Sequence, residues 1–359
     1  MATRREVLAA GIGAAVLGRI PGSARVQARS RLRTPFYLNG KRVKTIDVHA
    51  HCNFREIIPL LDGDTEALFR PIRGADEHFL GVEKRLAAMD AMAIDMEVLG
   101  VNPFWYEKTP EIAHRICKIQ NQKLSEICAA HPDRFAGFAS LTLQAPGIAV
   151  EELEQAMKEH GLKGASIGGA VAGLEFADPK FDPVWAKAEE LGAALFIHPT
   201  GMAPSKANRL AGNGWLGNII GNPLETTIAL SHLIFQGTLD KFPRLKIICA
   251  HGGGYLPFYA DRSDYACIVG PSYCDKAIPL ELHPSEYLKR IYFDSLVFTP
   301  RAVQHLIDVV GAGQVMIGTD YPYPWSLDPV DQIMATHLRP QDKIAILHGN
   351  AARVLGIAI

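Results

Sequence analysis

The chain has 359 residues, of which 48% are hydrophobic and 21% are charged, and its formal net charge is -1. This composition is that of a globular protein with a large core, and the length suits either two domains or one α/β barrel. A near-neutral charge without a run of basic residues argues against nucleic acid as a primary partner.

The N-terminal segment, MATRREVLAAGIGAAVLGRIPGSARVQA, differs in kind from the rest of the chain. Arg4 and Arg5 precede an apolar run rich in Ala and Gly, and small residues follow that run. This order is typical of a secretory signal, and the paired arginines favour the twin-arginine route; the apolar run is short for a membrane span. An ordinary N-terminal helix is the alternative. We expect residues 1–30 to be an export signal, which implies a periplasmic or extracellular protein, and residues 44–359 to form a single domain.

Eight apolar runs rich in β-forming residues follow, with amphipathic stretches such as PRAVQHLIDVVG between them. The runs cover residues 44–51, 96–102, 135–143, 162–169, 193–200, 245–253, 290–296 and 314–321. This alternation predicts an α/β protein, a closed (β/α)8 TIM barrel of the metal-dependent hydrolase type. An open doubly wound sheet is the alternative, but it favours a glycine fingerprint after the first strand, where HAHCNF stands. The polar insertion at about 55–80 is expected to form a small cap.

The first predicted strand, within TIDVHAHCNF, ends with two histidines, His49 and His51. Side chains at positions i and i+2 of a strand point to the same side. Two imidazoles directed at one point are costly unless a common partner accepts their lone pairs. A metal ion is such a partner.

Three further polar residues end other predicted strands. His198 ends the fifth, His251 the sixth and Asp320 the eighth, and in a TIM barrel the active site lies at this C-terminal end of the strands. Taken singly, each has an ordinary explanation, as a hydrogen-bonded histidine or a turn aspartate. Taken with the two histidines of the first strand, they form a set of imidazoles and one carboxylate that suits zinc or a similar ion, which lowers the pKa of a bound water towards neutrality.

The fourth predicted strand contains two signals that we weigh against other chemistries. GASIG, at 164–168, satisfies the G-x-S-x-G pattern, but a nucleophile elbow needs a sharp turn between strand and helix, whereas Ser166 lies within the strand. A second metal ion would usually need a carboxylated lysine at the C-terminal end of this strand, and Lys163 stands at its beginning. We therefore predict one metal ion and no serine nucleophile.

Several segments together resemble the amidohydrolase-related metal-dependent decarboxylases, and among them most closely the aminocarboxymuconate-semialdehyde decarboxylases. These segments are IDVHAH, FIHP, NPLETTIA, DKFPRLKIICAHGGGYLPFYADR and VMIGTDYPYPW. The resemblance runs from about residue 44 to the C-terminus. It implies that His49, His51, His198 and Asp320 bind one divalent metal ion, zinc, with manganese as the alternative. It also implies that His251 is the catalytic histidine, and from the chemistry of the reaction we expect Asp320 to shuttle a proton besides binding the metal.

The resemblance implies a substrate site as well. Arg70, for which Arg73 is a competitor, matches an arginine that lines the pocket, and Arg262 matches one that reaches into the neighbouring subunit's site, which implies a homodimer. Trp215 matches a tryptophan of the same pocket. The implied reaction is the non-oxidative decarboxylation of a small carboxylated aromatic or a muconate-semialdehyde-like substrate. The arginines would hold the carboxylate and His251 would transfer the proton.

Some features depart from the family pattern and bear on the substrate. Cys52, Asn53 and Phe54 follow the second histidine where the family often has Ile/Leu-Pro, and Asn218 stands where the nearest relatives have a tryptophan. Two other functions stay open: metal-dependent hydrolysis of an amide, ester or lactone, and metal binding without turnover by an exported protein. The six cysteines are scattered without a C-x-x-C pair, and we expect most to be free buried thiols.

Overall fold

The computed structural model describes residues 36–61, 79–201, 208–323, 325 and 328–359. All of them fall within one compact unit. The expected export signal, Arg70 and most of the predicted cap lie outside the described residues.

Eight parallel strands coincide with the eight predicted runs. Their bounds are β1 Ile46–His51, β2 Met96–Gly100, β3 Phe135–Gly137, β4 Gly164–Ile167, β5 Ala194–Ile197, β6 Lys246–Cys249, β7 Tyr292–Asp294 and β8 Val315–Met316. Strands β4 to β8 form one sheet and β1 to β3 another, each in chain order. Parallel bridges join Ala139 to Ala165 and Asp47 to Ile317, and so connect the two sheets at both edges. The order therefore closes on itself, and the predicted TIM barrel is confirmed.

Helices separate the strands in the predicted alternation. Their bounds are α1 Val82–Met92, α2 Pro110–Ala130, α3 Pro146–Lys158, α4 Asp182–Leu191, α5 Asn222–Phe235, α6 Thr238–Lys241, α7 Ala260–Asp264, α8 Ala266–Val269, α9 Pro300–Val310, α10 Pro329–Met334, α11 Pro340–Ile344 and α12 Asn350–Leu355. Several begin with proline, whose fixed φ suits the first helical position, and α4 and α12 end at the left-handed Gly192 and Gly356. None of the helices in the described ranges is long and apolar enough to cross a membrane.

Short elements complete the chain. The 3₁₀ helices are Arg55–Leu60, Pro179–Phe181, Asn208–Leu210, His251–Gly253, Leu256–Tyr259, Pro271–Tyr273, Glu286–Arg290 and Ala312–Gln314; π-helical turns cover Gly217–Gly221 and Ala345–Gly349. Two small antiparallel pairs join Tyr37–Leu38 to Lys41–Arg42 and Ala170–Val171 to Leu174–Glu175. The second pair follows β4 and contributes to the cleft described below.

Neighbouring residues of a strand belong to different apolar layers. In β6, Ile247 packs in the larger cluster with residues of the helices, whereas Ile248 belongs to a smaller cluster with Val98 of β2 and Phe196 of β5. Alternation along a strand produces this division, because successive side chains point to opposite faces. The smaller cluster fills the interior of the barrel, as the fold requires.

The cysteines only partly follow the prediction. Four are free: Cys52, Cys117 and Cys249 are buried and Cys128 is half-buried. The other two, Cys267 and Cys274, form a disulfide with Cα atoms 5.7 Å apart, which is within the usual range. The expectation of mostly free thiols holds for four of the six, and the pairing in the segment after β6 was not predicted.

Candidate metal centre

The polar residues that end the strands meet on one rim of the barrel. His49 and His51 are part of β1, while His198, His251 and Asp320 follow β5, β6 and β8. His251 and Asp320 have φ values of 54° and 59°. Such left-handed conformations are uncommon for residues other than glycine and are concentrated at functional sites.

The side chains of these residues converge on one point. Asp320 Oδ1 lies 2.8 Å from His51 Nε2, 3.1 Å from His49 Nε2 and 3.9 Å from His198 Nε2. Asp320 Oδ2 lies 3.7 Å from His251 Nε2, and the Nε2 atoms of His49 and His51 are 3.0 Å apart. One ligand atom each from His49, His198, His251 and Asp320 lies within 4.8 Å of the other three. All five residues are therefore within reach of one ion, and which of His51 and His251 is a ligand stays a prediction.

Two of the converging donor atoms lack other partners. Within the described part of the chain, Asp320 Oδ1 and His198 Nε2 are buried without a hydrogen-bond partner. The short contacts between the histidine Nε2 atoms and Asp320 Oδ1 are therefore not aligned as hydrogen bonds. Buried polar atoms are normally satisfied, and a divalent cation satisfies several imidazole nitrogens and a carboxylate oxygen together. The structure thus contains a metal-binding site.

Burial favours the neutral imidazoles that metal binding requires. Burial lowers the pKa of His51 in spite of Asp320. The pKa of His198 is held well below its ordinary value, first by burial and then by the neighbouring His51, His49 and His251. A neutral imidazole offers a lone pair to a metal, whereas a protonated one does not.

His49 is different because it lies between two carboxylates. Burial works to lower its pKa, but the charge of Asp320, together with the charge and hydrogen bond of Asp294, outweighs burial and raises it to about 10. Burial works to raise the pKa of Asp320 and of Asp294, but interactions with His49 hold both below the ordinary value. Two buried carboxylates around one imidazole create a demand for positive charge at this position, which a metal ion meets.

Asp294, the last residue of β7, supports this arrangement and was missed in the sequence. His49 Nδ1 lies 2.5 Å from its Oδ2 atom. The backbone N–H of His251 donates to Oδ2 and that of Gly252 donates to Oδ1, each at 2.9 Å. A carboxylate that accepts from the second nitrogen of a metal-binding histidine fixes the tautomer and orientation of that ring. The signal was an aspartate at the end of the apolar run RIYFDSL, in the position that the other site residues occupy.

A cleft of about 1030 Å³ opens at the rim. Its lining includes His51, His198, Asp320 and Trp215, and also Asn53, Asn102, Tyr106, Thr200, Asn218 and Tyr323. Among the described residues that line it, none is an arginine or a lysine. The predicted Trp215 is at the cleft with 46% of its surface exposed, and the predicted Arg262 is an exposed residue of α7 outside this lining.

Glu225, from the NPLETTIA segment, anchors the loop that carries His198. Its carboxylate accepts from Thr200 N–H at 3.1 Å, from the Thr200 hydroxyl at 3.0 Å and from Gly201 N–H at 2.6 Å. Burial raises its pKa, although these bonds work in the opposite direction. Ser166, the serine of the G-x-S-x-G pattern, is a fully buried residue of β4 and does not line the cleft.

Comparisons with known proteins agree with this geometry. Residues 46–357 match the model of a family described as amidohydrolase. The chain is 32% identical over 317 residues to 2-amino-3-carboxymuconate-6-semialdehyde decarboxylase of Dictyostelium discoideum, covering 87% of this chain and 84% of the relative. It is 30% identical over 287 residues to gamma-resorcylate decarboxylase of Rhizobium sp. (strain MTP-10005), covering 76% and 86%.

A similar solved structure is that of 5-carboxyvanillate decarboxylase from Novosphingobium aromaticivorans, complexed with manganese and 4-hydroxy-3-methoxy-5-nitrobenzoic acid. The two chains have a TM-score of 0.78 and 26% sequence identity, and the match covers 88% of this chain and 96% of the other. That relative binds a metal ion together with a substituted benzoate.

Proposed function

This chain belongs to the amidohydrolase family, and from that membership we propose that it is a metal-dependent non-oxidative decarboxylase acting on a small aromatic or muconate-like carboxylate. The observation that carries the proposal is the convergence of His49, His51, His198, His251 and Asp320 beside a cleft that His51, His198 and Asp320 line. The three relatives described above are decarboxylases, and they determine which reaction of the family we assign to this cleft.

The chemical difficulty of this reaction is the charge left on carbon as carbon dioxide departs. His49, His51, His198 and Asp320 would hold the ion, which when bound acts as a Lewis acid towards a substrate oxygen. His251 would give the proton that replaces the carboxylate on carbon. Its side chain is 14% exposed, and Asp294 holds its backbone N–H. The backbone of His251 is thus held in place while part of its side chain is exposed.

Recognition of the substrate carboxylate needs cations that the described lining does not contain. We propose that Arg70, outside the described residues, and Arg262 of a second subunit supply them, because paired N–H groups of an arginine match a carboxylate. Trp215 would stack on the substrate ring. The main effect of Arg70→Ala should be a higher KM, with a smaller effect on metal content. Kinetics and metal analysis of the same sample measure both.

A homodimer would bring Arg262 to the neighbouring cleft. Exposed apolar side chains lie before and after Arg262 in the chain and on a second segment, and the Tyr255 hydroxyl joins the two segments by donating to Ile219 O at 3.2 Å. The exposed apolar side chains are Ile219, Ile220, Phe258, Tyr259, Tyr265, Ile268 and Val269. A patch of this kind on a protein surface is typical of an interaction site. Light scattering of the purified protein tests the dimer, and a monomer with full activity contradicts it.

Zinc is the metal that we propose, with manganese as the alternative, because zinc accepts imidazole and carboxylate ligands in this number. We also propose export through the N-terminal arginine pair. The disulfide between Cys267 and Cys274 supports export, since disulfides persist mainly in oxidising compartments.

Metal analysis followed by product analysis tests the function. Protein purified with its metal should release carbon dioxide from a carboxylated aromatic or muconate, whereas a hydrolase would consume water and release none. His51→Ala should lose metal and turnover together, and His251→Ala should keep the metal and lose turnover. Full activity in protein free of any transition metal would contradict the proposal.

A further inference from the structure

Asp320 has a hydrogen-bond donor that the proposed reaction does not use. The indole Nε1–H of Trp325 donates to Asp320 Oδ2 at 2.7 Å. An indole has a single N–H, which neither gains nor loses a proton at physiological pH. The bond therefore holds one carboxylate oxygen whatever the protonation of the surrounding histidines.

The two oxygens of Asp320 consequently have different surroundings. Oδ1 lies 3.1 Å from His49 Nε2 and 2.8 Å from His51 Nε2, and it is without a hydrogen-bond partner within the described ranges. Oδ2 accepts from Trp325, with His251 Nε2 at 3.7 Å. One oxygen is held by the protein, and the other is directed at the histidines of the metal site.

We propose that Trp325 is a positioning residue that fixes Asp320 as a one-oxygen ligand and joins it to the substrate end of the cleft. The proposal rests on the metal site of the proposed function. By holding Oδ2, the indole prevents the carboxylate from turning both oxygens towards the ion. The same bond reduces the need for His251 to occupy Oδ2, so that this imidazole is available to the substrate.

The ring of Trp325 also contacts two other aromatic residues near the cleft. It stacks on Trp215 with a centroid distance of 5.4 Å and an interplanar angle of 14°, and it meets Phe298 edge to face at 5.7 Å. We call Trp215, Phe298 and Trp325 the aromatic cluster. Trp215 and Phe298 have φ values of 56° and 68°, conformations that persist only where the surroundings enforce them.

The aromatic cluster gives the position of Asp320 a direct connection to the substrate. Trp215 lines the cleft with nearly half of its surface exposed. It also stacks on Trp325, the residue whose indole N–H donates to Asp320. Aromatic stacking contributes about 0.5–1.5 kcal/mol beyond simple burial. An aromatic substrate that packs on Trp215 therefore stabilises the same stack that keeps the Trp325 N–H directed at Asp320. This arrangement favours aromatic over aliphatic carboxylates.

Trp325→Phe tests the proposal because it keeps an aromatic ring and removes the N–H. The Mn²⁺ dissociation constant, measured by competition with a chelator, should rise about 10- to 100-fold, as it does when such supporting partners of ligands are removed. The EPR spectrum of bound Mn²⁺ should change, and kcat should fall with little change in KM. Trp325→Gln should restore Mn²⁺ affinity, because its amide N–H stands the same number of bonds from Cβ, but it should raise KM since the stack is lost.

Two further variants complete the design. Trp215→Phe keeps the Trp325 bond and should change KM without changing Mn²⁺ affinity. Trp185→Phe removes an indole N–H bond of 2.9 Å, to the Phe176 carbonyl, at a buried position outside the cleft, and should leave Mn²⁺ affinity and its EPR spectrum as in the wild type.

The outcomes separate this inference from the proposed function. A Trp325→Phe protein with wild-type Mn²⁺ affinity and EPR spectrum overturns the role of Trp325 while the decarboxylase proposal stands. A wild-type protein that binds neither Mn²⁺ nor Zn²⁺ overturns the metal site itself. If Trp325→Phe does not fold, Trp325→Gln and Trp325→Met decide, because their side chains are similar in length and only glutamine has the N–H: weaker Mn²⁺ binding by Trp325→Met than by Trp325→Gln supports the role of the donor, and equal affinities contradict it.

Discussion

The interior of the barrel and its C-terminal rim are built from the same eight strands, yet their side chains differ completely. The interior cluster is apolar and fully buried, with Val48, Val98, Phe138, Phe196 and Ile248 each at most 1% exposed. This layer gains stability from burial and close packing. It contains nothing that could bind a ligand specifically.

The rim begins directly above this interior, where Phe196 packs against His49 with ring centroids 5.0 Å apart. From there upward the strands carry imidazoles and carboxylates, several with buried atoms that lack partners in the described part of the chain. Such atoms reduce the stability of the metal-free protein. The difference teaches that stability and function are assigned to different layers of one barrel, so substitutions in the two layers should have separable effects.

The largest effect is expected from a ligand at the rim. His198→Ala should abolish bound metal and lower turnover by about a thousandfold or more, since a metal ion supplies several kcal/mol of transition-state stabilisation. The metal-free variant should unfold at a temperature equal to or above that of the metal-free wild type, because the ring nitrogens of His198 are buried without partners in the described residues. Metal analysis and calorimetry measure both, and a variant that keeps metal and rate would remove His198 from the site.

An interior substitution should have the opposite signature. Phe138→Ala, which removes a fully buried ring stacked on Phe196 at 5.7 Å, should lower the free energy of unfolding by about 3–5 kcal/mol. The folded fraction should bind metal with the wild-type stoichiometry. Denaturant titration and metal analysis test this, with Phe138→Leu as the milder control. Loss of metal from fully folded protein would show that the two layers are not separable.

Much of both layers could be predicted from the sequence. All eight strands were predicted because their apolar runs are distinct, although each strand is shorter than its predicted run. The difference is largest for β8, where Val315–Met316 stands within the predicted 314–321, and for β3, where Phe135–Gly137 stands within the predicted 135–143. The meeting of His49, His198 and Asp320 was predicted because strand ends of a parallel barrel share one rim.

The rest depended on contacts between distant segments. The bond between Asp294 and His49 and the bond between Trp325 and Asp320 are set by side-chain orientation, which an apolar pattern does not encode. The Cys267–Cys274 pair was missed because the cysteines show no recognisable spacing. Arg70 and the export signal lie outside the described residues, and both stay predictions.

Asp294 offers a substitution between the two extremes, because it supports the rim without touching the cleft. Asp294→Asn keeps the shape but removes the charge that pairs with His49, and metal affinity should fall about 10- to 100-fold. Chelator competition measures the change. Asp240→Asn is the matched control, since Asp240 accepts from Tyr287 and Arg290 away from the site and should leave metal affinity unaltered. Equal metal affinity in Asp294→Asn and the wild type would show that Asp294 has only a structural role.

The smallest effect concerns Glu225, a rim carboxylate with the electrostatics of an interior residue. Burial raises its pKa above the ordinary value of 4.5, so the folded state holds this proton more tightly than the unfolded state does. The resulting stability is fully present below about pH 4.5 and declines as the pH rises through the raised value. Glu225→Gln does not ionise and lacks this decline, so the difference in melting temperature, wild type minus variant, should decrease from pH 4 towards pH 8.

Glu126 provides a control of opposite sign. Hydrogen bonds from Gln122 and Lys123 lower its pKa on an exposed helix surface, so the stability it contributes is present above its ordinary pKa and is lost as the pH falls. In Glu126→Gln the difference in melting temperature should therefore increase slightly from pH 4 upward, where that in Glu225→Gln decreases. Calorimetric scans of the metal-free proteins across this range compare the two slopes directly. Equal slopes would mean that the burial of Glu225 does not govern its ionisation, and that the anchor of the His198 loop is an ordinary solvated carboxylate.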